Sequence, residues 1–295
     1  MASWSDGYWS SRDGLRLHYR DYDGKPSRPP ILCIPGLTRN ARDFEGVADR
    51  LAGEWRLICV DLRGRGESAY ARDSSTYAPP VYAEDIEDLI EALGLDRFVL
   101  FGTSLGGIVG MLLAMRGKAR FAGVLLNDIG PVLDERGLGR IRSYVGRSQS
   151  WPTWVHAARH FQDYQGNVYP EWKLEQWLIF AKRLCKLNGS GRIVPDYDAR
   201  IAEPFKTPAG ESGGFDLWPA FRALSGMPAL LVHGALSDLL TAETVALMKK
   251  KKPMLESVTV AGVGHAPTLE EPEAVAGIEA LLTRVATMSG SPTES

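Results

Sequence analysis

Apolar runs of strand length alternate with helical patterns along this 295-residue chain, and that alternation is what most restricts the fold. Strand-like runs are read at Pro30 to Ile34, Arg56 to Val60, Phe98 to Phe101, Phe121 to Asn127, Ala229 to His233 and Glu256 to Val260. Helical stretches separate them near Ala41 to Leu51, Val81 to Leu93, Leu105 to Met115, Ala242 to Lys250 and Pro272 to Val285. Strands that are apolar throughout belong in a parallel sheet covered on both faces, so the expected class is α/β, opened by a hairpin that turns at Arg12-Asp13-Gly14. The alternation lapses from Val132 to about Leu224, where Trp151 to Asp163 and Glu171 to Leu187 read as helices. The expected organisation is therefore a core of residues 1–131 and 225–288, a helical insertion over 132–224, and a disordered polar tail over 289–295.

Within this pattern, Phe98 to Gly107 contains a strand, the turn Gly102-Thr103-Ser104-Leu105-Gly106, and the start of a helix. That is the G-x-S-x-G arrangement in which a sharp turn exposes a serine hydroxyl and the helix N-terminus favours developing negative charge. A hydroxyl is a weak nucleophile at neutral pH, so it needs a base and a group that orients the base. His265, after the last strand in Gly262-Val263-Gly264-His265, is the expected base. Asp238, after the next-to-last strand, is the expected orienting acid, with Asp128 at another strand end as its competitor. The backbone N–H groups of Leu37, after the bend at Gly36, and of Leu105 are expected to form an oxyanion hole. His233 and the tryptophans of the insertion, Trp151 and Trp154 first, are candidates for the substrate pocket, while Trp172, Trp177 and Trp218 complete the set there. His156 and His160 lie four apart on a helix but lack the glutamate of a zinc-protease motif, so no metal and no cofactor is expected.

Charge narrows the partners. Lys plus Arg is 34 against 36 for Asp plus Glu, a formal charge of −2, which gives no basic surplus for nucleic acid and leaves a small-molecule substrate as the expected partner. Cys33, Cys59 and Cys185 are too few and wrongly spaced for a disulfide framework or a zinc site. They read as buried thiols and point to a cytoplasmic setting. The N-terminus lacks the pattern of a secretory signal, and glycines interrupt the least polar window, Phe98 to Met115, so no membrane span is expected. Oligomeric state is not legible.

Pro35-Gly36, Asp61-Leu62-Arg63-Gly64-Arg65-Gly66-Glu67-Ser68, the turn at Ser104, Asp238 and Gly264-His265 together resemble the α/β-hydrolase superfamily over nearly the whole chain. The resemblance implies a mainly parallel eight-stranded sheet with an antiparallel second strand, a helical cap after the sixth strand, and a Ser-Asp-His triad. It departs from many relatives at Pro35, where they have His, and at Arg65, where they also have His. The resemblance does not settle the substrate; the expected activity is that of a serine hydrolase on a small, fairly apolar ester or related acyl compound, with a lactonase, a carbon-carbon hydrolase of a vinylogous diketone, or a non-catalytic ligand receptor left open. A serine at the elbow argues against haloalkane and epoxide chemistry, for which relatives use aspartate.

Overall fold

Side chains on both faces of Ile31–Ile34, Leu57–Asp61, Phe98–Thr103, Phe121–Asn127 and Ala229–Gly234 are buried, and strands of that kind are stable only inside a sheet covered on both sides. The computed structural model, which describes residues 1–117, 121–205 and 216–289, places them there. In chain order the strands are β1 Ser5–Ser10, β2 Arg16–Tyr22, β3 Ile31–Ile34, β4 Leu57–Asp61, β5 Phe98–Thr103, β6 Phe121–Asn127, β7 Cys185–Leu187, β8 Ile193–Pro195, β9 Ala229–Gly234 and β10 Leu255–Val260. All but β7 and β8 form one eight-stranded sheet in the order β1-β2-β4-β3-β5-β6-β9-β10. β2 runs antiparallel to both β1 and β4, and the other neighbours pair in parallel.

Strand alternation feeds two cores. Leu32, Ile34, Leu100 and Leu126 face one cluster, packed under helices α2 (Pro79–Ala92) and α3 (Leu105–Gly117). Ile31, Cys33, Phe101 and Leu125 face the other, under α1 (Glu45–Leu51) and the late helix Pro272–Ser289. Cys33 aligns with Cys59 across β3 and β4, both free and buried. Burial pushes the Cys33 thiol well up, as it does for Cys185, whose thiol is pushed up to about 12.

Between β6 and β9 the chain leaves the sheet through α4 (Glu135–Tyr144), α5 (Trp154–Gln165), α6 (Leu174–Leu184), the β7–β8 hairpin, a 3-10 segment at Ala199–Phe205 and α7 (Trp218–Ala223). The sequence predicts one helix from Glu171 to Leu187, whereas α6 stops at Leu184 and the chain turns into β7. Asn188 drives the turn that follows, because its side-chain oxygen accepts from the backbone N–H groups of Ser190 and Arg192. After β9 come α8 (Ala242–Lys251), β10 and α9 (Pro272–Ser289). The expected disordered tail falls, past Ser289, outside the described residues. Among the described residues no helix is long and apolar enough to cross a membrane.

Candidate active site

Ser104 caps the passage from β5 to α3 with φ at 51°, a left-handed conformation that a side chain rarely adopts. The turn can close this tightly because its flanking residues carry no Cβ. A Cβ on Gly106 would lie 2.0 Å from the carbonyl oxygen of Ile34, and one on Gly102 would lie 2.6 Å from the Gly107 nitrogen. The Ser104 N–H donates to the Asn127 carbonyl at 3.0 Å, tying the elbow to the end of β6.

His265 arrives from the loop after β10. Its Nε2 lies 2.8 Å from Ser104 Oγ and its Nδ1 lies 2.8 Å from Asp128 Oδ2. With the Nδ1 proton donated to the carboxylate, Nε2 is the free acceptor facing the serine hydroxyl, which is the tautomer a general base needs. Two contacts hold this loop in place: Tyr169 Oη donates to the Ala266 carbonyl at 2.6 Å and Asn127 Nδ2 to the Pro267 carbonyl at 2.8 Å.

Asp128 therefore occupies the place the sequence reading gave to Asp238. It follows β6 directly, is fully buried and has φ at 53°. Its Oδ1 accepts the Gly234 N–H at 2.8 Å, and its Oδ2 also accepts the Ser237 hydroxyl at 2.6 Å. Asp238 turns the other way. Its two carboxylate oxygens accept Nε and Nη2 of Arg140 at 2.6 and 2.8 Å, and its carbonyl accepts the Gly137 N–H at 3.0 Å, so it fastens α4 to the loop after β9. The physical reason is the course of that loop, which sends Ser237 inward toward Asp128 and the next residue outward. Burial alone would raise the Asp238 carboxyl, but the hydrogen bonds and charge of Arg140 hold it below its ordinary value.

Leu37 sits where the chain bends after β3. A Cβ on Gly36 would lie only 3.7 Å from Ser104 Cβ, so the backbone there approaches Ser104 closely. The Gly36 carbonyl accepts the Arg39 N–H at 3.1 Å, and in a trans peptide this turns the Leu37 N–H to the opposite side. The next peptide is fixed too: Arg65 Nε donates to the Leu37 carbonyl at 2.9 Å, while Arg65 Nη1 donates to the Arg63 carbonyl and to Tyr82 Oη. Arg65, which the sequence shows only as a departure from relatives, is thus the brace of this loop. Leu105 opens α3, where an N-terminal N–H has no helical acceptor.

A cavity of about 770 Å³, open to solvent, is lined by Ser104, His265, Leu37, Arg39 and Asn127 from the core and by Ile141, Tyr144, Gln165, Tyr169 and Arg183 from the segment between β6 and β9. The expected pocket residues lie elsewhere. Trp151 packs on His160 and Phe161 and bridges to Ile193; Trp154 packs against the same core; and His233 Nε2 lies 3.0 Å from the Leu240 carbonyl, steadying the turn after β9. Trp172 and Trp177 belong to a packed aromatic group in which Tyr169 and Trp172 stack at 3.8 Å, and Trp218 packs on Phe221. None of the five tryptophans lines this cavity. His156 bonds Thr153 and His160 stacks on Tyr164.

Residues 31–278 match the model of the alpha/beta hydrolase family. The chain belongs to this family. It is 37% identical to the 3-hydroxybutyrate-oligomer hydrolase of Cupriavidus necator over 268 residues, covering 88% of the chain and 90% of that protein. It is 28% identical to the 2-(acetamidomethylene)succinate hydrolase of Mesorhizobium japonicum, over 91% of the chain and 93% of that protein. The crystal structure of an alpha/beta hydrolase from Novosphingobium aromaticivorans superposes with a TM-score of 0.92 at 54% identity, covering 96% of this chain and 99% of the other. This alpha/beta hydrolase is an enzyme, and the eight-stranded, mostly parallel sheet is that of its family.

Proposed function

We propose that this alpha/beta hydrolase cleaves a carboxylic ester through an acyl intermediate on Ser104. The observation that carries the reading is the unbroken relay from Ser104 Oγ through His265 to Asp128, with both links at 2.8 Å. His265 Nε2 takes the hydroxyl proton as Ser104 attacks the carbonyl carbon, and Asp128 stabilises the imidazolium that forms. Collapse of the tetrahedral adduct passes that proton to the leaving alkoxide. Water, deprotonated by the same nitrogen, then releases the acid and regenerates Ser104. The Leu37 and Leu105 N–H groups receive the oxyanion, an arrangement in which each donor is worth about 10²- to 10³-fold in rate. The side chains of Ser104, His265 and Asp128 and the backbone N–H groups of Leu37 and Leu105 supply every group this route uses, so it needs no metal or cofactor.

Residues 132–224 serve as a cap. Supporting this, α4, α5 and α6 contribute Tyr144, Gln165 and Arg183 to the same cavity as Ser104. The relative at 37% identity acts on an oligomer of a hydroxy acid, and units joined hydroxyl to carboxyl are esters, which favours carbon-oxygen cleavage here. A neutral alkyl fluorophosphonate tests the nucleophile: it should label Ser104 in the native chain and leave Ser104→Ala unlabelled. A folded native chain that resists labelling refutes the mechanism. Turnover of a vinylogous diketone with none of any simple ester would transfer the reading to carbon-carbon hydrolysis.

A further inference from the structure

We infer that Arg39 makes this active site selective for esters whose acyl part carries a carboxylate. The inference rests on the reading of Ser104 as nucleophile and names the class of substrate that site takes. Arg39 shares the cavity with Ser104, and both approach Gly36: a Cβ there would lie 3.3 Å from Arg39 Cγ and 3.7 Å from Ser104 Cβ. An acyl group on the serine therefore shares its cavity with the Arg39 side chain, whose guanidinium also feels Tyr169 and Tyr144 of the same wall.

The guanidinium is oriented but only partly used. Its Nε donates to Asp43 Oδ1 at 2.8 Å and its Nη2 donates to the same oxygen, while the Phe180 ring packs against its face at 4.4 Å. A guanidinium has five N–H donors in a rigid fork, and a surface ion pair of this i, i+4 kind needs no further partner because water supplies it. Here the side chain is only 19% exposed and lines the cavity, and Nη1 has no acceptor among the described residues. Both converging donors fall on one oxygen of Asp43, so the paired, two-oxygen match that arginine makes with a carboxylate is still to be made. Arg183, the other cation on this wall, is already held by Glu270 at 2.6 Å.

The rest of the space gives the substrate a direction. A second, smaller pocket, open to solvent, shares Tyr144 and Gln165 with the first and is walled by Phe161 and Tyr164. It suits the uncharged part of a substrate, leaving the Arg39 end for the anion.

Isosteric ester pairs test this in the full chain: monoethyl succinate against ethyl 4-methylpentanoate, and monoethyl glutarate against ethyl 5-methylhexanoate, followed by pH-stat. The native enzyme should favour the charged member of at least one pair in kcat/KM by about 10- to 100-fold, the range one charge-assisted pairing supplies. Arg39→Gln should collapse that ratio, mainly through KM for the charged ester, and Arg39→Lys should restore part of it. Because glutamine leaves Asp43 without its partner, Arg39→Gln/Asp43→Asn is measured beside it, and fluorophosphonate labelling of Ser104 reports whether each variant keeps a formed site. A native enzyme that labels but shows no preference for the charged esters overturns the inference while leaving the serine mechanism standing. So does a ratio unchanged in both labelled variants. Failure of the native chain to label refutes the mechanism itself.

Discussion

Replacing Asp128 or Asp238 by asparagine, one at a time, separates the two carboxylates that the sequence offers as partners for His265. In the native site the Nδ1–H of His265 meets Asp128 Oδ2 at 2.8 Å, with the Asp128 side chain fully buried. Two unit charges at that separation, in an effective dielectric of about 20, attract by about 6 kcal/mol, or roughly 10⁴-fold in rate when the imidazolium forms in the transition state. Asparagine loses more than the charge. Three donors converge on Asp128, from Gly234, Ser237 and His265, and an amide has a single oxygen to accept them, so its NH₂ must confront one. If it confronts His265, the imidazole takes the opposite tautomer and Nε2 presents a proton to Ser104. Asp128→Asn should therefore slow both fluorophosphonate labelling and ester turnover by about 10³- to 10⁴-fold. Asp238→Asn breaks only the pair with Arg140, whose acidic side is 30% exposed, and should cost less than about 1 kcal/mol of stability after solvent screening and less than about 5-fold in rate. The reverse ranking, with Asp238→Asn losing about 10³-fold and Asp128→Asn nearly native, would return the acid's role to Asp238 and refute the assignment drawn from the geometry.

Two further substitutions probe the frame around the nucleophile. Arg65→Met removes the donor to the Leu37 carbonyl at 2.9 Å and should lower kcat by about 10- to 100-fold with KM little changed, since the loosened loop matters most when the oxyanion develops; an equal loss in a binding measurement with a non-reacting ester analogue would argue against it. Gly106→Ala forces a methyl to within 2.0 Å of the Ile34 carbonyl and should destabilise the fold by at least about 2 kcal/mol in denaturant unfolding, and an unchanged midpoint would show that the elbow is less tightly closed than it is drawn.

What could be read in the sequence follows from how local the determining physics is. β3, β4 and β5 were legible because every side chain in them is buried, which leaves unbroken apolar runs. The elbow was legible because Gly102 and Gly106 are required by close backbone approach, a constraint written directly in residue type. The β7–β8 hairpin was not, since strands of three residues are too short to show a period. The pocket was misread from composition. Aromatic mass in the segment between β6 and β9 suggested a wall of tryptophans, but Trp151, Trp172 and Trp177 spend their surface on other rings, and the cavity is walled instead by Tyr144, Tyr169, Arg39 and Arg183. Nothing local distinguishes a tryptophan that packs from one that binds.

The acid shows the limit most clearly, because both aspartates sit at the ends of neighbouring strands. β6 and β9 pair in parallel with Asn127 opposite Val232, so the loops that follow them emerge side by side at the edge where Ser104 and His265 meet. Strand position alone puts either carboxylate within range of the imidazole, and an imidazolium at His265 would favour the charged form of Asp238 too. Backbone direction decides between them: the left-handed conformation at Asp128, reached while its N–H donates to the Val232 carbonyl at 2.7 Å, turns its carboxylate inward, where Gly234 and Ser237 hold it. That choice releases Asp238 to grip Arg140, so the carboxylate the sequence offered first as the acid fastens α4 beside the cavity that α4 helps to wall.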